Sequence, residues 1–182
     1  EKVAARCGPG TLFIAGDVTR REDHLRVVEQ TVAAYQHIDA WVNNAGRGMS
    51  RTPSQATDED FDEMMLVNTK SALYGMQAVL PHMKANRRGH ILNVSSMLGK
   101  IPFALPRAVY SASKAALNSL TTSMRMEVRA EFPDIMVTLV LPGVVATDFG
   151  LNAKHGGADN RAIPGAQAVE EVAKVIADGL EK

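Results

Sequence analysis

Short apolar runs alternate with amphipathic stretches along this chain. Thr11-Leu12-Phe13-Ile14-Ala15-Gly16 is a continuous run ending at Asp17, and it predicts a buried strand. Thr19 followed by Glu22 has the form of a capping box, so a helix is expected from there to about Gln36. Ile38 to Val42 predicts the next strand, closed by Asn43-Asn44-Ala45-Gly46. Thr57 with Asp60 opens a long amphipathic helix whose stripe is Phe61, Met65, Ala72, Met76 and Leu80. Pro81 is expected to kink or shorten it. His90 to Ser95 predicts a third strand, followed by a loop to about Val109 and a small-residue helix from Tyr110 to about Glu131. Ile135 to Leu141 predicts a fourth strand, ending at Pro142-Gly143. A polar, Gly- and Ala-rich stretch spans Val144 to Gln167, and a last helix is expected over Ala168 to Leu180. Unbroken apolar strands alternating with helices imply an α/β fold with a parallel sheet covered on both faces.

Composition sets limits around this plan. At 182 residues the chain reads as one domain with room for a real core. Apolar residues make up 46% and charged residues 22%, the balance of an ordinary globule. Twenty basic residues face twenty acidic ones, so net charge argues for neither nucleic acid nor an anionic membrane. No apolar run approaches the ~20 residues that cross a bilayer. Cys7 is alone, which excludes an internal disulfide and suits a reducing, cytoplasmic setting. No signal peptide is visible, and a first residue of Glu1 suggests that the natural N-terminus lies further upstream. The five histidines show neither metal-ligand spacing nor a partner acid, and four are expected at the surface. The nine methionines read mostly as core filler, with Met97 excepted by its place beside Ser96.

The candidate chemistry lies in Tyr110-Ser111-Ala112-Ser113-Lys114. A tyrosine and a lysine four apart share one helix face. Their side chains titrate near ~10 and ~10.4 in water, and a nearby ammonium favours the phenolate. Bringing a phenol down by roughly three units takes about 4 kcal/mol, so further cationic or hydrogen-bonding help is expected.

Five motifs in order resemble the short-chain dehydrogenase/reductase family, in its simple single-domain branch. They are Asn43-Asn44-Ala45-Gly46 after a strand, Asn68 in the following helix, a serine ending the next strand, Tyr110-x-x-x-Lys114, and Pro142-Gly143-x-x-x-Thr147 after the last strand. The resemblance covers essentially the whole chain and implies a Rossmann-like doubly wound parallel sheet, with residues 1–182 forming one incomplete domain. The strands would be the family's third to sixth.

The resemblance also implies roles. Tyr110 would exchange a proton with the substrate oxygen, and Lys114 would lower that phenol's pKa and hold the nicotinamide ribose. Ser96 would bond the substrate carbonyl, and Asn68 would keep a water in a relay reaching Lys114. Asp17 and Val18 would meet the adenine, Asn44, Ala45 and Gly46 the adenosine side. Pro142, Gly143, Val145 and Thr147 would hold the nicotinamide end. Such sites lie at strand carboxyl ends, where Asp17, Asn44, Ser96 and Pro142 are all expected. Plainer readings stand beside these: a tight turn at Asn44–Gly46, a satisfied polar residue at Asn68, a strand end at Ser95-Ser96, and a strand-end acid at Asp17.

The implied activity is hydride transfer between NAD or NADP and a small carbonyl or alcohol substrate. Met97, Leu98, Phe103, Val144 and Phe149 would line an apolar pocket under a substrate loop at 144–167. The implied assembly is a homodimer or homotetramer through a four-helix interface, with Ala72, Gly75, Ala112, Ala115 and Ala116 allowing close approach. One departure matters: the family's opening Gly-x-x-x-Gly-x-Gly turn is missing, and Gly8-Pro9-Gly10 precedes the wrong strand. The choice between NAD and NADP is therefore unreadable. Either the sequence is part of a longer enzyme, or it is a truncated, noncatalytic member acting in oligomerisation or regulation. A dehydratase or epimerase on the same scaffold is a third reading.

Overall fold

The computed structural model describes residues Lys2–Leu180; Glu1, Glu181 and Lys182, part of the expected 1–182 domain, lie outside the described residues. Helices α1 (Lys2–Cys7) and α2 (Arg21–Tyr35) precede strand β1 (Ala40–Asn43). Helix α3 (Asp58–Met65), a π-turn (Leu66–Lys70) and α4 (Ser71–Asn86) then lead to β2 (Gly89–Val94). Helix α5 (Ala108–Arg129), β3 (Ile135–Val140) and α6 (Val169–Leu180) complete the order. The strands form a parallel sheet in the order β1-β2-β3, with Trp41 beside Ile91 and Ile91 beside Val137.

Those three residues lie on one sheet face, and the core builds on it. Val28 and Val32 of α2, Met76, Val79 and Met83 of α4, and Met124 and Val128 of α5 pack there. The other face carries Val42, Leu92 and Thr138; α6 reaches it, bringing the Leu180 backbone against His90. Val42 and Met136 on that face remain 41% and 39% exposed. Elements thus lie on both faces, as the sequence pattern predicts, with the cover less complete on the α6 side.

Several expected elements move. Thr11–Gly16 is not a strand: among the described residues no neighbour lies alongside to complete a ladder. The segment is tied instead to α2, the Gly10 carbonyl accepting from Tyr35 and the Ala15 carbonyl from Arg26. The Thr19–Glu22 capping box does not form, because Thr19 turns back to Asp17 with both its N–H and its hydroxyl. The Thr57–Asp60 box does form, reciprocally.

The long helix carries the largest change. Its π-turn inserts an extra residue, so the buried face is Met64 before the turn, Asn68 within it, and Ala72, Met76, Val79 and Met83 after it. Phe61, expected in the stripe, is exposed. Pro81 neither ends nor shortens α4, which continues to Asn86. The methionine reading holds for Met49, Met64, Met76 and Met83, all fully buried.

Candidate active site

The carboxyl ends of β1, β2 and β3 open onto two cavities that share Asn44 and Ala45. The smaller, about 200 Å³, is lined by Asp17, Val18, Trp41 and Ser71. The larger, about 820 Å³, collects Gly46, Ser96, Met97, Tyr110, Lys114, Pro142, Gly143, Val145 and Thr147. Every site residue expected from the sequence lines one of the two except Asn68, which lies buried behind Gly46.

Each side chain there has a structural reason for its place. Asn68 sits in the π-turn, where its amide oxygen accepts from the Arg47 N–H at 2.8 Å and its amide nitrogen donates to the Arg47 carbonyl at 3.0 Å and to Ser113 Oγ at 3.1 Å. It clamps the loop that follows β1 onto α5. Ser95 and Ser96 separate by function of direction. The Ser95 hydroxyl is tied to Asn118 Oδ1 at 2.5 Å, whereas Ser96 Oγ faces the cavity beside Tyr110 and accepts from the Leu98 N–H at 3.2 Å.

Tyr110 is buried, its ring edge-on to Phe149 at 5.8 Å. Burial raises its pKa above the ordinary phenol value, with the Ser96 hydrogen bond and the Arg107 charge pulling the other way. Lys114 is buried one turn along, 6.0 Å from the Tyr110 ring centroid. Its ammonium donates to the Val94 carbonyl at 2.9 Å, and burial lowers its pKa to about 8. The phenol is therefore raised rather than lowered, and the cation acting on it is Arg107. The sequence already held a signal for Arg107, which precedes Tyr110 by three positions and stands immediately before α5.

The opposite wall is the segment after β3. Its 144–167 stretch is pinned by short parallel bridges, Val145 to Gln167 and Lys154 to Met49. Gln167 Oε1 also accepts from the Gly143 N–H at 3.2 Å. A charged cluster fastens the loop further. Buried Asp60 meets Arg51 at 2.8 Å, Lys154 at 2.9 Å and His155 at 2.8 Å, and Lys154 also meets Glu63 at 2.6 Å. These partners hold the Asp60 carboxyl far below the usual carboxylate range, the His155 hydrogen bond foremost. The histidine expectation is corrected here: His155 and His37 have partner acids, and His24 and His90 are buried. No histidine joins a metal-binding cluster among the described residues.

The residues present suit a dinucleotide's two ends. Lys114 commits one of its three N–H bonds to Val94, leaving donors for sugar hydroxyls. A Cβ added to Gly46 would stand 3.1 Å from Asn68 Oδ1 and 3.4 Å from Lys114 Nζ, so a side chain there would crowd the wall. Asp17 Oδ1 is already engaged by Thr19, which lowers its pKa and fixes it as an acceptor. No glycine-rich turn among the described residues lines either cavity, so they do not supply a diphosphate cradle.

Comparison with known proteins places these observations. The model of a family described as short chain dehydrogenase matches residues 1–156. An uncharacterized oxidoreductase of Staphylococcus saprophyticus is 32% identical over 149 residues, covering 81% of this chain and 60% of the relative. A solved short-chain dehydrogenase from Burkholderia cenocepacia in complex with NADP superimposes with a TM-score of 0.80 at 28% identity, over 96% of this chain and 67% of that one. One from Streptomyces avermitilis gives 0.79 at 28% identity, over 93% and 66%. The chain thus spans about 60% of that curated relative and about two thirds of those solved chains.

Proposed function

The chain belongs to the short-chain dehydrogenase family, and from that premise we propose that it interconverts a carbonyl compound and its alcohol using NAD or NADP. The observation that carries the reading is the convergence of the Ser96 hydroxyl, the Tyr110 phenol and the Lys114 ammonium on one cavity. Ser96 donates to the substrate carbonyl oxygen and polarises it. Tyr110 gives its proton to that oxygen as negative charge develops. A phenol with a raised pKa holds its proton at neutral pH, the form in which it can donate. A reduced nicotinamide cofactor, when bound, would supply the hydride that reduces the carbonyl carbon.

Lys114 holds the ribose hydroxyls with its two uncommitted N–H bonds, and Asn68 keeps the Gly46–Arg47 backbone in place behind them. In this reading Asn68 also keeps a water in a relay reaching Lys114. Asp17 and Val18 receive the adenine; Asn44, Ala45 and Gly46 the adenosine side; Pro142, Gly143, Val145 and Thr147 the nicotinamide end. Met97 and the 144–167 loop face the substrate. The NADP in the Burkholderia relative supports this cofactor class.

A homodimer or homotetramer is part of the proposal, with a corrected surface. Ala72 and Gly75 are buried against their own sheet, whereas Ala112, Ala115 and Met126 form an exposed line along α5. The test is titration of the full-length protein with NADH and NADPH, followed by their oxidation in the presence of aromatic aldehydes and ketones. Binding with carbonyl-dependent oxidation is expected. The absence of both binding and oxidation would contradict the proposal and favour the noncatalytic, oligomerising reading.

A further inference from the structure

Arg107 acts on the Tyr110 phenol through its charge, but proton and hydride transfer to a simple ketone leaves its free N–H donors unused. Its guanidinium lines the same cavity as Tyr110 and Ser96 and lies near enough to the phenol to act on its charge. It is partly withdrawn from water. Among the described residues no carboxylate pairs with it. Its hydrogen bond runs from Nη1 to the Met49 carbonyl at 3.2 Å, leaving most of its five donors uncommitted.

The position is built rather than incidental. A Cβ added to Gly48 would stand 3.0 Å from Arg107 Nη1, and one added to Gly157 would stand 2.9 Å from Nη2. Two glycines, one after β1 and one in the 144–167 loop, thus leave a slot for the planar fork. A half-buried guanidinium without a counter-charge is costly, and an oxyanion that accepts from its free N–H groups offsets the cost. The rest of the wall nearby is apolar, with Phe103, Val144, Phe149, Ile163 and Ile176.

We propose that Arg107 anchors the carboxylate of an oxo-acid substrate whose carbonyl lies at Ser96 and Tyr110 and whose carbon skeleton lies on the apolar wall. This names the substrate class for the reaction proposed above and rests on that reading. Arg107 binds through the substrate's charge, so its removal raises KM for acids more than it lowers kcat. A neutral ketone of the same shape leaves the half-buried guanidinium unpaired and is disfavoured.

The test uses the full-length protein, its Arg107→Met and Arg107→Lys variants, and two matched pairs of probes. Phenylbutyrate and phenylbutyramide, which cannot be reduced, read binding by calorimetry. Benzoylpropionate and its methyl ester read turnover. The wild type is expected to bind the acid about tenfold or more tightly than the amide. Arg107→Met is expected to abolish that preference and to cut the acid-to-ester ratio of kcat/KM by about tenfold or more, mainly through KM. Arg107→Lys keeps the charge and should retain part of both preferences even if the Met variant folds poorly. Equal affinity for acid and amide in the wild type, or a preference that survives Arg107→Met, would overturn the proposal. Acid binding that depends on Arg107 without reduction of either ketone would uphold the anchor and defeat the hydride-transfer reading.

Discussion

Tyr110 and Lys114 were expected as a pair in which the ammonium makes the phenol acidic. Their spacing along the helix was legible because it needs only helical geometry. The sign of the electrostatics was not, because it depends on how deeply each group is buried and where each charged atom points. Both groups are buried in the same low-dielectric wall, so each is pushed toward its neutral form. Lys114 spends its nearest hydrogen bond on the β2 backbone, and Arg107 becomes the cation acting on the phenol. This has a consequence for stability. A lysine pKa lowered to about 8 in the folded chain is below its unfolded value, so the unfolded chain holds a proton that the folded chain lacks from about pH 8 to about 10.5. Stability from this group therefore rises with pH across that window, by roughly 3 kcal/mol at most. Lys114→Met should remove the trend. Thermal unfolding of both proteins without added cofactor, from pH 7 to 10, checks it: the wild type should gain on the variant as pH rises, and parallel curves would contradict the account.

Among the elements, local signals succeeded where they were self-sufficient and failed where a neighbour decided. The Thr57–Asp60 capping box formed because Asp60 also finds Arg51, Lys154 and His155. The Thr19–Glu22 pattern did not, because Asp17 captured Thr19 first. A strand at Thr11–Gly16 was predicted from apolar run alone, yet a strand also needs a ladder partner. The π-turn was hidden from a periodicity count, since one inserted residue moves the buried stripe from the Phe61 register to the Met64 register. That turn is also what aims Asn68 at Arg47. Gly75 shows how tightly α4 then packs on β1. A Cβ there would meet Trp41 Nε1 at 2.7 Å and the Asn43 amide oxygen closer still. Gly75→Ala is therefore expected to destabilise the fold by about 1–3 kcal/mol, read by denaturant unfolding, despite alanine's better helix propensity. An unchanged or raised midpoint would show that α4 stands further from the sheet.

At the scale of the molecule, the order of short motifs was more legible than any single one. Parallel topology carries each strand's carboxyl end to the same edge, so residues far apart in sequence, from Asn44 to Thr147, meet at one cavity. The cross-chain fastening was not legible. Asp60 and Glu63 of α3 hold Lys154 and His155 of the 144–167 loop, and no sequence spacing announces a contact of that separation. Nor did small residues reveal their facing: Gly75 serves the sheet, while Ala112 and Ala115 serve the outside of α5. All of this converges on one group whose loss should stop the chemistry and little else. In the full-length protein, Tyr110→Phe keeps the ring that packs on Phe149 and removes only the phenolic hydroxyl. Carbonyl-dependent NAD(P)H oxidation should fall by about 10²–10⁴-fold, with cofactor affinity and melting temperature near those of the wild type. Near-normal turnover in that variant would contradict the account.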